Sequence, residues 1–224
     1  MAALETPSPA VEDYAKAIYS LSRQTGEAVS TSALAERLDV SAASASAMVK
    51  RMATMRLVKH ERYRGVHLTK AGERIALEVI RHHRLIELYL AEALGMPWDR
   101  VHAEAEVLEH AISPELLELM DAKLGHPTRD PHGDPIPSRD GKVEERETFS
   151  LHSLRPGTTA TFTRVSDAKP EVLQYLAEKG IAPGMRLEVL DAEPFEGPLV
   201  VRFGSEVHHL AAGLTRMMRV ERDG

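Results

Sequence analysis

The chain has 224 residues, 43% hydrophobic and 28% charged, a composition that builds packed cores rather than a disordered polymer. It contains no cysteine, which excludes disulfides, thiolate metal sites and a cysteine nucleophile. The formal charge of −6 is uneven: residues 1–75 are net +3 and the remainder is net −9. No apolar run reaches the roughly 18–20 residues of a membrane span. Met1–Ala10 lacks a basic-then-apolar leader pattern. We therefore expect a cytoplasmic protein with no membrane partner.

In chain order, Val11, Tyr14, Ala15, Ile18 and Tyr19 recur at helical steps, so a first helix is predicted over 11–22. Ser30-Thr31-Ser32 offers an N-cap for a short helix carrying Leu34, Ala35 and Leu38. Asp39-Val40-Ser41 reads as a tight turn, and a third helix follows over 42–55 with Ala45, Met48, Val49 and Met52 inward. Strands at 57–61 and 66–69 flank an Arg-Tyr-Arg-Gly turn. A long helix is predicted over 71–94, a further one over about 98–112, and another over 115–124 behind Ser113-Pro114. Residues 125–148 are rich in Pro and Gly, show no period and read as a linker. Short strands then appear at 159–165, 186–190, 199–203, 207–210 and 217–220, interrupted by a helix over 171–179. The fold class is thus mainly α with a C-terminal β domain, the latter a small barrel.

Two short helices, a tight turn, a third helix and a basic hairpin form an N-terminal winged helix-turn-helix. In such motifs the second helix enters the major groove by its N-terminal end. The candidate DNA contacts are Thr31, Ser41, Ala43, Ser44, Ser46, Lys50 and Arg51, with Arg62, Tyr63 and Arg64 in the wing. Small side chains allow close approach, hydroxyls can donate to phosphates or bases, and cations neutralise phosphates. Taken singly, these are equally caps and solvated arginines; the ordered set points to duplex DNA.

A second constellation lies on two later helices. His83 and Glu87 are four apart, and His102, Glu106, Glu109 and His110 project at about 0°, 40°, −20° and 80° around one helix. Imidazoles and carboxylates sharing a helix seam incur desolvation and repulsion that a divalent cation removes. A ligand set without sulfur suits Mn²⁺ or Fe²⁺ by type. The spacing is not the metalloprotease His-Glu-x-x-His pattern, and no nucleophile motif or Gly-rich phosphate loop is present, so no enzymatic activity is expected.

These features together resemble the diphtheria toxin repressor family, the iron- and manganese-dependent transcription regulators. The resemblance is carried by Glu12-Asp13-Tyr14, by Leu68-Thr69-Lys70-Ala71-Gly72, by Arg81-His82-His83-Arg84-Leu85-Ile86-Glu87, by the run from Val101 to His110, and by Pro131-His132-Gly133-Asp134-Pro135-Ile136-Pro137. It implies four parts: a winged helix-turn-helix over 1–74, a helical metal-binding and dimerisation domain over 75–126, a linker over 127–148, and a small Src-homology-3-like barrel over 149–224. It also implies two metal sites. One uses His83, Glu87 and His102, with Glu171 and Gln174 from the barrel. The other uses Asp13, Glu106, Glu109 and His110. Glutamate at 106 and aspartate at 13 are the manganese-type choices, whereas Lys16 stands where compact two-metal members carry a glutamate.

The expected function is that of a metal-dependent regulator, a repressor of manganese or iron uptake genes. In it, Mn²⁺, or alternatively Fe²⁺, stabilises a homodimer on a palindromic double-stranded operator. The apolar run Leu116, Leu117, Leu119, Met120 and Leu124 serves either that dimer or the intramolecular core. Because the histidines must be deprotonated to ligate, a weaker metal response is expected below about pH 6. The alternative is a winged-helix regulator that answers a small organic ligand, with a structural His/Glu cluster; a third reading is a metal-dependent hydrolase with an appended DNA module.

Overall fold

The computed structural model describes residues 7–61, 64–144 and 146–222. They divide into two compact units: one holds the chain through His82 together with Pro137–Lys142, the other His83–Ile136 and the chain from Val143 onward.

The first unit contains α1 (Pro9–Thr25), α2 (Thr31–Arg37), α3 (Ala42–Thr54), β1 (Val58–Glu61), β2 (Gly65–Leu68) and the first half of α4 (Lys70–Leu94). Proline at the first position starts α1, and Gly26 ends it in the left-handed conformation with its N–H on the Ser22 carbonyl. Ser30 and Ser41 cap α2 and α3, their hydroxyls accepting the N–H groups of Ala33 and Ser44. Asp39, at φ 50°, makes the tight turn between them. The inward apolar positions meet as expected: Val11, Ile18, Leu34, Val49, Met52 and Val66 are fully enclosed in one core. β1 and β2 form an antiparallel hairpin, and Val29 bridges Val66 on its other side. Thr69 caps α4 by accepting the Gly72 N–H and donates to the Arg56 carbonyl at 2.8 Å. Only glycine fits at 72, since a Cβ there would lie 2.1 Å from the Leu57 carbonyl oxygen.

In the second unit, α4 continues to Leu94 and is followed by α5 (Val101–Leu108) and α6 (Pro114–Lys123). α5 is shorter than the predicted 98–112: turns occupy 98–100 and 109–111. Leu85, Ile86, Leu88 and Leu90 of α4 pack with Val101, Ala105, Leu117 and Ile136. The predicted dimerisation run divides. Leu117 is enclosed and Leu124 packs against the same core, whereas Leu116 and Leu119 are 47% and 62% exposed.

The C-terminal domain is a six-stranded antiparallel sheet in the order β3-β8-β4-β5-β6-β7. Its strands are β3 (Phe149–Ser150), β4 (Thr159–Val165), β5 (Arg186–Ala192), β6 (Leu199–Phe203), β7 (Glu206–Leu210) and β8 (Met218–Arg222). α7 (Pro170–Glu178) and α8 (Ala212–Met217) are inserted between strands. The core is the inward-alternating set, with Phe162, Val189, Val201, Leu210 and Met218 joined by Leu173 and Leu176 of α7. The two-residue β3 and the short α8 were not predicted; both are too brief to show a period.

The segment expected as a linker is corrected by the structure: its first half is a buried strap. Asp130, His132 and Ile136 are 7%, 1% and 6% exposed. The Asp130 carboxylate accepts the N–H groups of His132 and Asp134 at 2.9 and 2.8 Å, closing a tight loop. The Val165 N–H donates to the His132 carbonyl at 3.0 Å. Gly133 lies so close to β4 that a Cβ would sit 1.8 Å from the Thr163 carbonyl oxygen. From α4, Arg84 donates to the Pro135 carbonyl and lies 3.5 Å from Asp130. Proline and glycine here shape a tightly docked turn rather than a solvated spacer.

Candidate functional site

On the first unit, α3 turns Ala45, Val49 and Met52 inward and leaves Ser41, Ala43, Ser44, Lys50 and Arg51 exposed, with Ser46 half-buried. The helical period separates these two faces, so one stretch both fills the core and presents small and cationic groups to solvent. The Ser41 and Ser44 hydroxyls lie 2.8 Å apart, and Ser41 also caps the helix. Thr31 is half-buried at the first position of α2. Arg64 is exposed and lies 3.5 Å from Glu61. Arg62 and Tyr63 fall outside the described residues.

On the second unit, the ligand-type side chains converge. His83 Nε2 lies 2.9 Å from Glu87 Oε1 and 3.0 Å from His102 Nδ1. His102 Nδ1 is in turn 3.2 Å from Glu87 Oε1 and 3.0 Å from Asp167 Oδ2. Four ligand atoms from α4, α5 and the loop before α7 thus lie within 4.8 Å of one another, a set that could hold a divalent cation. The other ring nitrogen of His83 lies 2.5 Å from Glu109 Oε2, with Glu106 at 3.8 Å, and His110 lies 3.5 Å from Glu109. A proton shared with Glu109 leaves the His83 lone pair at Nε2, aimed at the cluster.

The electrostatics agree. Burial pushes the Glu87 carboxyl up, but hydrogen bonds and charge from His102 and His83 outweigh it and bring it down to about 2. The Asp167 carboxylate, followed by that of Glu87, raises His102 to about 10. Asp167 is held below the usual carboxylate range because the His102 contact outweighs its burial. A cation held by His102 would have to displace the proton that these carboxylates favour there.

Three members of this site escape a sequence reading. Asp167 is the barrel carboxylate that lies beside His102; of the two barrel residues expected, Glu171 is exposed and joins none of the converging groups among the described residues, and Gln174 donates to Asp99 at 2.9 Å. Asp130 and His132, on the strap, form a further buried group with Glu87. The Nε2–H of His132 donates to the Trp98 carbonyl at 2.8 Å, leaving Nδ1 buried, with no hydrogen-bond partner among the described residues, and 3.9 Å from Glu87 Oε2. An orphaned basic nitrogen facing a buried carboxylate is a donor set that fits a divalent cation. Burial, followed by the charges of Asp134 and Glu87, raises the Asp130 carboxyl well above the ordinary range. The available signal was an aspartate and a histidine inside a Pro/Gly-rich segment; Asp167 has no local signal. Asp13 stands half-buried in α1 of the first unit.

Residues 8–66 match the family described as iron dependent repressor, N-terminal DNA binding domain, residues 69–138 its metal binding and dimerisation domain, and residues 149–222 the FeoA domain. The chain is 31% identical to the diphtheria toxin repressor of Corynebacterium diphtheriae, over 88% of this chain and 82% of that one. It is 29% identical to the iron-dependent repressor IdeR of Mycobacterium tuberculosis, over 94% and 96%. A solved manganese-dependent transcriptional repressor in complex with manganese superposes with a TM-score of 0.86 at 42% identity, over 95% of this chain and all of that one. The chain belongs to the diphtheria toxin repressor family, the iron- and manganese-dependent DNA-binding transcriptional regulators.

Proposed function

We propose that this protein senses Mn²⁺, with Fe²⁺ as the alternative, and represses genes for uptake of that metal by binding a palindromic operator as a homodimer in the cytoplasm. The observation that carries the reading is the convergence of His83 Nε2, Glu87 Oε1, His102 Nδ1 and Asp167 Oδ2, with the bare Nδ1 of His132 beside Glu87. Imidazole and carboxylate ligands without sulfur support manganese, as does the manganese-bound relative. A cation bound there would supply the positive charge that lets the buried carboxylates and imidazole lone pairs share one space.

The residues divide the work. His83, Glu87, His102 and Asp167 form one ligand set, and Asp130 and His132 supply further donors on the Glu87 side. We retain the role the family resemblance gives Asp13, Glu106, Glu109 and His110 as a second set. Glu109 orients His83 through Nδ1. Lys50 and Arg51 neutralise operator phosphates, while Ala43, Ser44 and Ser46 admit close approach of the α3 N-terminus to base edges. The exposed Leu116 and Leu119, with Val107 71% exposed, offer an apolar dimer surface. Two recognition helices on one dimer fit half-sites roughly 34–36 Å apart or a multiple of that. Metal promotes DNA binding to the extent that it binds the DNA-competent arrangement more tightly, and DNA then tightens metal binding by the same factor.

The test is operator binding by the purified protein across a panel of divalent metals, with chelated protein as control. Binding is expected to appear with Mn²⁺ or Fe²⁺ and to vanish with chelator. Equal affinity for the operator after rigorous chelation overturns the reading.

A further inference from the structure

The chain has one tryptophan, which neither the DNA face nor the ligand sets use. Trp98 lies in the turn before α5, four residues ahead of His102. Its backbone carbonyl accepts the His132 Nε2–H at 2.8 Å. Its ring is stacked on the same imidazole, with centroids 5.8 Å apart and planes at 23°. Its indole N–H donates to the Leu173 carbonyl of α7 at 3.2 Å. Alongside, Gln174 of α7 donates to Asp99 at 2.9 Å. The turn that leads into α5 is thus pinned twice to one turn of a barrel helix.

We propose that Trp98 is a positioning residue for the metal centre: it holds His132 with its Nδ1 lone pair toward Glu87 and links that imidazole to α7. A neutral imidazole carries one N–H; the Trp98 carbonyl takes it at Nε2, so Nδ1 is the basic nitrogen. The stacked indole keeps the ring from rotating that nitrogen away, and the Leu173 bond keeps the indole in place. The barrel therefore reaches the cluster by two routes, Asp167 directly on His102 and Leu173 by way of Trp98 and His132. Groups that orient a ligand in this way govern affinity although they never touch the ion.

The inference rests on the metal-centre reading above, and its test separates the two. Full-length wild type, Trp98→Phe and Trp98→Leu are titrated with Mn²⁺ by calorimetry after chelation. The tautomer of His132 is read in the chelated proteins by ¹⁵N-histidine NMR. Trp98→Leu, which loses both stack and N–H, is expected to weaken Mn²⁺ binding about 10-fold or more, and Trp98→Phe, which keeps the stack, by about threefold. Trp98→Leu keeps the backbone carbonyl but frees the imidazole to turn either nitrogen toward it, so the Nε2–H tautomer should be the single form in wild type and a mixture in Trp98→Leu. Wild-type affinity in both variants, or an undisturbed tautomer in Trp98→Leu, overturns the proposal. Should Trp98→Leu lose its circular dichroism, Trp98→Phe decides by the same two measurements. Should wild type bind no Mn²⁺, the metal-centre reading fails and the tautomer alone judges Trp98.

Discussion

The proposed recognition helix α3 and the proposed ligand cluster are built on opposite plans. α3 draws its contacts from its own neighbourhood: Ser41 caps the helix at the Ser44 N–H, and Lys50 and Arg51 project to solvent about two turns further on. The cluster draws residues 83, 87, 102, 130, 132 and 167 from separate segments and buries most of them. Exposed groups act nearly independently, because water screens them from one another. Buried carboxylates and imidazoles share protons and partners, so removing one leaves the others uncompensated. The DNA face should therefore tolerate graded change, and the cluster should fail as a unit.

Glu87→Gln puts that contrast under the greatest strain. Glu87 is 1% exposed and touches His83 and His102. Metal affinity by calorimetry is expected to fall by about 100-fold or more, beyond the range typical of supporting residues. A loss of only a few-fold would show that the cluster's members act separately.

The proton on His102 gives the next largest effect. Its pKa is raised to about 10, so across neutral pH a cation must release that proton. Apparent Mn²⁺ affinity should rise by about tenfold per pH unit between roughly pH 6.5 and 9, when measured by competition with a chelator of known pH response. In chelated protein the sign reverses. The His102 ion pair contributes its full stability below its unfolded pKa of about 6.5 and loses it as pH rises through about 10, so thermal unfolding should move to lower temperature over that window. A flat affinity profile would mean that His102 does not ligate.

Lys50→Ala and Arg51→Ala should each weaken operator binding only a few-fold. Each should also reduce the slope of log affinity against log salt by about one, with Mn²⁺ affinity unchanged. An equally large loss of metal binding would erase the distinction between the two regions. Glu171→Ala sharpens it at the small end: the residue is exposed and outside the converging groups, so metal affinity should stay within about twofold. A tenfold loss there would restore Glu171 as a ligand in place of Asp167.

Where sequence reading worked and where it failed follows the same division. Apolar steps of three and four residues marked α1, α3 and α4, because that period reports one face of one helix, and short runs bounded by Gly and Pro turns marked β4 and β6. His83 and Glu87 were legible as a pair, and so were His102 and Glu106, since four residues is one turn of helix. Asp167 was not, because nothing near it in the chain anticipates His102; Glu171 and Gln174 followed from a spacing implied by the family resemblance, and the structure puts Asp167 beside His102 and Gln174 on Asp99. The strap was misread for a different reason. Proline and glycine signal departure from helix and strand, and only packing decides whether such a segment faces water or, as at Gly133, lies against a neighbouring strand.

The amino-acid order alone thus determined most of the helices and strands, the two capped turns of the reading head and the chemical type of the ligands, all of which depend on interactions within a few residues. Tertiary packing alone decided which barrel carboxylate meets His102, that Asp130 and His132 are buried beside Glu87, and that Trp98 stands between His132 and α7. Those choices depend on where separate segments come to rest against one another, and the free energy of that docking is spread over whole cores rather than written in any local pattern.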